Sequence, residues 1–209
     1  MKPATQIHAF SGCLYGWSSF HDQWKVEFNS YLLKTREGVI FIDPMKPAPE
    51  AIKEIEALAK PLGIYLTNAH HDRDADWFRK RYEIQIYAHE KAQADCDTKI
   101  DVLVMDGEHL PGGVKMIHLP GVSASETAFH TKLDGGILLL GDSLVHEAGK
   151  GLAMLPQEYC DDRREAWRSL QKLATLQFKI ATFAHGEPLV ADAGKEITRF
   201  LKKRNKTTA

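Results

Sequence analysis

Apolar positions along the chain follow two rhythms. Residues 38–44 (Gly-Val-Ile-Phe-Ile-Asp-Pro) and 137–140 (Ile-Leu-Leu-Leu) are continuous apolar runs, the pattern of strands covered on both faces. Residues 26–33 read as a strand ahead of the first run, and Arg36-Glu37-Gly38 between them predicts a hairpin. Shorter strands are predicted at 64–67, 84–87, 102–105, 114–119, 126–133 and 179–184, while 7–20 has no clean period and reads as a short strand and a loop.

Helical spacing of Ile52, Ile55 and Leu58 predicts an amphipathic helix over 50–60, ended by Pro61. Asp74 is the expected N-cap of a helix reaching Arg81, and 90–95 reads as a short helix. Asp161 or Asp162 is expected to cap a helix that lines up Trp167, Leu170, Leu173 and Ala174. Asp192 is expected to cap a last helix carrying Ile197, Phe200 and Leu201, and 146–156 reads as a loop. Strands in two sets with helices between them argue for an α/β protein with two sheets or one large mixed sheet, helices outside. The polar candidates His70, Asp72, Asp142 and His185 all follow strands, where α/β folds place ligands.

Composition narrows this further. A chain of 209 residues predicts one domain, residues 1–209, and 44% hydrophobic residues suffice for a core. A net charge of -1 leaves no footprint for nucleic acid or an anionic membrane. The basic stretch Lys202-Lys203-Arg204 with Lys206 reads as the solvated end of the last helix. No run reaches the length of a membrane span, and residues 1–6 lack the apolar core of a signal peptide. Cys13, Cys96 and Cys160 are odd in number and far apart, as reduced thiols would be. The expectation is a cytoplasmic protein with a small-molecule substrate, its self-association to a homodimer left open.

The chemistry concentrates in residues 66–76, where two histidines, three aspartates and an arginine fall together. Five segments, in order, resemble those of the metallo-β-lactamase superfamily over nearly the full length: 40–44, ending in Asp43; 66–73; Leu119-Pro120-Gly121-Val122-Ser123; Leu140-Gly141-Asp142-Ser143-Leu144; and Ala184-His185-Gly186-Glu187-Pro188. The resemblance implies a four-layer αββα sandwich with a metal site at one edge of its two sheets.

The metal loop departs from the family pattern. Asn68 stands for its first histidine, Arg73 for its last, and Val122 for the histidine of the third segment. Valine has no donor atom and a guanidinium offers no lone pair, so a three-histidine zinc site is excluded. The family's second metal position implies Asp72, Asp142 and His185 as ligands of one divalent ion, zinc first, with iron and manganese as alternatives. His70 and Asn68 would orient water and substrate beside the catalytic Asp72. The loop N-x-H-x-D-R is similar to that of the mono-zinc subclass. The implied activity is hydrolysis of a small ester, thioester or lactone, weakened because two carboxylates neutralise the ion. The alternative is a metal-free binding or structural protein in which Arg73 forks onto Asp72 or Asp142 and replaces the metal charge.

Around this set, His71 is a pocket candidate that could stand in for a lost ligand, but the favoured expectation is that it points away, since neighbours on an extended loop face opposite ways. His146 is a pocket candidate, with Arg73 and Val122. Trp17, Phe20 and Trp24 could cover the site as a flap or pack in the core.

Overall fold

The computed structural model of the chain describes residues 2–23, 25–147 and 149–205, the last two without their side chains. Trp24, the Arg204 side chain and Lys206 therefore lie outside the described residues.

Strands β1 (His8–Ala9), β2 (Leu14–His21), β3 (Val26–Lys34) and β4 (Val39–Ile42) form an antiparallel meander. Helix α1 (Pro49–Leu58) crosses over to β5 (Pro61–Tyr65), and α2 (Ala75–Tyr82) crosses from β5 to β6 (Ile86–His89). With β7 (Val102–Val104) these last three strands run parallel to β4, completing a seven-stranded sheet in sequence order. The second sheet is built from β8 (His109–Leu110), β9 (Val114–His118), β10 (Thr127–Thr131) and β11 (Ile137–Leu140), all antiparallel. A separate hairpin, β12 (Val145–Glu147) and β13 (Gly151–Ala153), precedes helix α3 (Arg163–Leu170). Strand β14 (Ile180–Thr182) then adds parallel to β11, and helix α4 (Ala193–Asn205) closes the described chain.

The continuous apolar runs are explained by the layers. In β4, Ile40 and Ile42 face Val114, Met116, Phe129, Ile137 and Leu139 of the second sheet. Val39 and Phe41 point the other way, onto Ile55 and Phe78 of α1 and α2. In β11, Leu138 and Leu140 likewise turn out to Ala166 and Leu170 of α3 and Ile197 and Leu201 of α4. Both faces of each sheet are thus buried, and the architecture is the expected αββα sandwich.

Several local expectations change. Pro61 opens β5 instead of merely ending α1, because a proline is tolerated at the first position of a strand. The Asp74 carboxylate accepts from the backbone N–H of Lys46 (2.8 Å) and makes no cap bond to α2. Residues 146–156 hold most of the β12–β13 hairpin. Asp162 is the cap of α3, accepting from the N–H groups of Arg164 and Glu165; Ala174 lies exposed on the 3₁₀ turn beyond it. Trp17 is core: its Nε1 donates to the Met45 carbonyl (2.9 Å), and it packs on Phe78. Among the described residues no helix is long and apolar enough to cross a membrane, and the three cysteines are free thiols.

Where β6 and β9 end, the His89 and His118 rings stack 3.8 Å apart. His89 Nδ1 accepts from the Lys91 N–H, which requires the neutral ring. Burial, with the His118 and Lys91 charges beside it, pushes His89 down to about 4. The unfolded chain then binds this proton more readily than the folded one. Stability should be full above about pH 6.5 and fall between there and about pH 4, on the order of 2 kcal/mol from this ring. Urea denaturation of the wild type against His89→Asn at pH 7.5 and 4.5 reads it directly. An unchanged difference between the two proteins at both pH values would rule the ring out as the source.

Candidate metal centre

Strands β4, β5, β11 and β14 all end at one edge of the sandwich, and β10 begins there. Hydrogen bonds lock the two sheets together at this edge. The Thr127 N–H and hydroxyl donate to the Thr67 carbonyl (2.7 and 2.9 Å). Asn29, on β3, donates from Nδ2 to the carbonyls of Phe183 (3.0 Å) and Gly186 (2.6 Å), and the Tyr31 hydroxyl donates to Phe183 (3.0 Å).

Past β5 the chain turns into a 3₁₀ helix, Ala69–His71, capped by Asn68, whose Oδ1 accepts from the His70 N–H (2.9 Å). In a 3₁₀ helix residues three apart share a face. Asn68 and His71 therefore both point inward and are buried, while His70 is exposed. This corrects the expectation for His71, which rested on an extended loop. It also moves Asp72: its carboxylate turns to residues 96–98, accepting from the Thr98 N–H (2.9 Å) and the Cys96 thiol (3.6 Å). The expected ligand set of Asp72, Asp142 and His185 is thus not the one brought together. Ligand atoms of His71, Asp142 and His185 lie within 4.8 Å of one another.

Each of these histidines is tethered from behind. His71 donates from Nδ1 to Asp43 Oδ2 (3.0 Å), and His185 donates from Nδ1 to the Glu27 carbonyl (2.7 Å). Both acceptors can only accept, so both Nδ1 atoms carry protons and both Nε2 atoms are left to face Asp142. The distances are 3.3 Å from His71 Nε2 to Oδ2 and 3.3 Å from His185 Nε2 to Oδ1. Asp142 Oδ1 is buried and receives no hydrogen bond. Nitrogen lone pairs aimed at a buried carboxylate need a positive charge between them, a proton or a metal ion. Two imidazoles and a carboxylate are a donor set that divalent ions accept.

The electrostatics carry the same demand. Burial pushes the His71 imidazole down, but the Asp142 and Asp43 carboxylates outweigh it and hold it up at about 9. Burial would push Asp142 up; His71 and His185 hold it well below the usual carboxylate range. Glu126, fully buried at the start of β10, is raised to about 8 by burial and by the charge of Asp142. It accepts from Asn68 Nδ2 (2.9 Å) and from the Ser143 N–H (2.9 Å) and hydroxyl (3.0 Å). Asn68 Nδ2 also lies 3.4 Å from Asp142 Oδ2. Gly141 makes this packing feasible: a Cβ there would sit 2.6 Å from Thr67 Oγ1 and 2.7 Å from Glu126 Oε1.

Arg73 faces inward, but without a fork onto either aspartate. Its Nη1 donates to the carbonyls of Asn29 (2.6 Å) and Asp43 (3.1 Å), its guanidinium lies over the Phe28 ring, and its buried Nη2 has no hydrogen-bond partner. Val122 is core, packed with α3 and α4. His146 supports the site from outside, with Nδ1 on the Glu187 carbonyl (2.9 Å) and its own carbonyl taking the Glu187 N–H (3.0 Å). Gly186 lets that strand pair close, since at φ +85 a Cβ would meet the His146 carbonyl oxygen at 2.1 Å.

Two residues of this centre had no place in the sequence-derived set. Asp43, a non-glycine residue at φ 47, accepts from the Thr67 N–H (2.8 Å) and hydroxyl as well as from His71. Its signal was there, an aspartate ending a buried apolar run before a proline. Glu126 gave no signal, since a glutamate opening a strand is ordinarily solvated.

The fold is that of the metallo-β-lactamase superfamily, whose family model matches residues 8–199, and the chain belongs to that superfamily. Among solved structures it is similar to DIM-1 metallo-β-lactamase, with 14% identity over 98% of this chain and 100% of that one and a TM-score of 0.74. It is also similar to the metallo-β-lactamase family protein TTHA1429 from Thermus thermophilus, at 20% identity, 95% and 81% coverage and a TM-score of 0.66. A third is TTHA1623, solved in a di-iron-bound form, at 25% identity, 82% and 93% coverage and a TM-score of 0.61. No curated protein sequence matches the chain.

Proposed function

We propose that this protein is a mononuclear metal-dependent hydrolase of a small ester, thioester or lactone, with His71, Asp142 and His185 as the protein ligands. The observation that carries this reading is the buried Asp142 carboxylate, faced at 3.3 Å by Nε2 of two histidines whose Nδ1 atoms are tied elsewhere. Zinc fits a three-ligand site of nitrogen and oxygen donors, and iron or manganese are the alternatives. A bound divalent ion supplies Lewis acidity for a substrate carbonyl and lowers the pKa of water. One carboxylate among the ligands, where sequence suggested two, leaves one more unit of positive charge for that work.

The chain's own groups do the rest. Asp43 and the Glu27 carbonyl fix the two imidazole tautomers and orientations. Asn68 and Glu126 hold the Asp142 side of the cluster from within. Phe28 packs against the His185 ring at 5.0 Å and gives the site an apolar wall. Exposed His70 stands on the same short helix, available to substrate or to a transferred proton.

The competing reading is a metal-free binding protein. Its support is Arg73, a cation drawn inward beside Asp43, together with a His71 basic enough to hold the proton itself. Metal analysis by mass spectrometry separates the two, using protein prepared without chelator and then loaded with zinc, manganese or iron. We expect about one ion per chain, and ester or thioester hydrolysis that disappears on chelation and returns with metal. A folded protein that retains no metal under any loading would overturn the hydrolase reading in favour of the second.

A further inference from the structure

A groove of about 820 Å³ opens at the opposite edge of the sandwich from the metal cluster. Its floor is Leu176 and Phe178, just ahead of β14, and its walls come from Asp192, the first three turns of α4 and Gly135. His185 follows β14 at one end and Lys179 precedes it at the other. The six residue steps between the two places, extended over Ile180–Thr182, span up to roughly 20 Å.

The walls carry five cationic side chains, Lys179, Lys195, Arg199, Lys202 and Lys203, against the single carboxylate of Asp192. Lys195 pairs with Asp192 (2.7 Å), and Arg199 with Glu196 (2.6 Å). Lys179 and Lys202 have no carboxylate within ion-pair distance among the described residues. Such an excess stands out in a chain whose net charge is -1. Like charges crowded along one groove repel one another, and a counter-charge relieves them. The volume is that of a small-molecule site. Glycines at 135 and 194 keep side chains out of it, and the Phe178 and Leu176 floor suits an apolar body.

We propose that this groove binds a phosphorylated small molecule of nucleotide size, its phosphates on Lys179 and Lys202 and its apolar body over Phe178. The site is independent of the metal cluster and of the hydrolase reading.

Calorimetric titration of the full chain with ADP, pyrophosphate and adenosine tests it. We expect ADP to bind, pyrophosphate to bind at least about threefold more weakly, and adenosine not to bind. Lys179→Glu with Lys202→Glu should weaken ADP at least about tenfold, and raising salt from 50 to 200 mM should weaken it in the wild type. His185→Ala should bind ADP as the wild type does, and amide shifts on ADP addition should cluster in 176–179 and 192–203. No binding of ADP, an affinity untouched by the double substitution, or binding lost in His185→Ala would each overturn the proposal. Tighter binding of an octaglutamate peptide than of ADP would also overturn it, and would make the groove a docking site for acidic protein segments.

Discussion

Replacing His71 by alanine is expected to abolish metal retention, whereas Asp72→Ala should keep it. The two residues are neighbours, and pattern alone favours the aspartate as the ligand. Geometry reverses the roles: His71 Nε2 faces Asp142 at 3.3 Å, while Asp72 is engaged by the Thr98 N–H. Loss of a supporting partner of a ligand typically costs 10- to 100-fold in affinity, and loss of one of only three protein ligands should exceed about 100-fold. Asp72→Ala removes a hydrogen bond from a loop and should cost about 1–2 kcal/mol of stability. Competition of each variant against a fluorescent zinc chelator measures both affinities. Equal losses in the two variants, or a loss confined to Asp72→Ala, would return the ligand role to Asp72.

The second large effect belongs to Asp43. It is 3% exposed, and its carboxylate satisfies the Thr67 N–H, the Thr67 hydroxyl and the His71 imidazole. Asp43→Ala strands the Thr67 N–H, leaves the Thr67 hydroxyl and His71 Nδ1 to each other (2.8 Å), and leaves a buried imidazole facing Arg73 with one fewer anion. Removing one partner of a buried charged pair costs about 3–5 kcal/mol, which in a chain of this size corresponds to roughly 10 °C in Tm. Asp43→Asn keeps an acceptor for Thr67 and should recover part of that loss, yet still weaken metal binding 10- to 100-fold through the misoriented His71 ring. Thermal melts and the same chelator competition separate the two effects. A melting temperature within about 2 °C of wild type for Asp43→Ala would show that the contact between Thr67 and His71 suffices without the carboxylate.

The layered fold was legible because burial on both faces writes itself as unbroken apolar runs. Residues 39–42 and 137–140 could hardly have been anything but central strands. Asp142 and His185 were legible as well, each following such a strand, and they do meet. The register of the 66–76 loop was not. Extended chain alternates faces every residue, and on that assumption Asp72 shares a face with Asn68 and His71 does not. The chain instead tightens into a 3₁₀ turn at Ala69, and three-residue periodicity pairs Asn68 with His71. Short 3₁₀ turns leave almost no hydrophobic signature, so the shift of one ligand position is invisible in the pattern. Glu126 was illegible for a different reason. Its burial depends on contacts with Asn68 and Ser143, more than 15 residues away on either side, and nothing local marks a strand-opening glutamate as an interior one.

The tethering of β3 to the Phe183–Gly186 segment also bears on how the chain acquires its centre. Asn29 and Tyr31 reach partners more than 150 residues later, and His185 takes its orientation from Glu27 across a similar span. Contacts of such long sequence separation close late, because the chain must give up most of its freedom before they form. A growing polypeptide therefore carries His71, and later Asp142, before His185, the other imidazole of the cluster, is in place. The three candidate ligands thus come together only once the last strand has docked, and a chain truncated before His185 lacks one of the three.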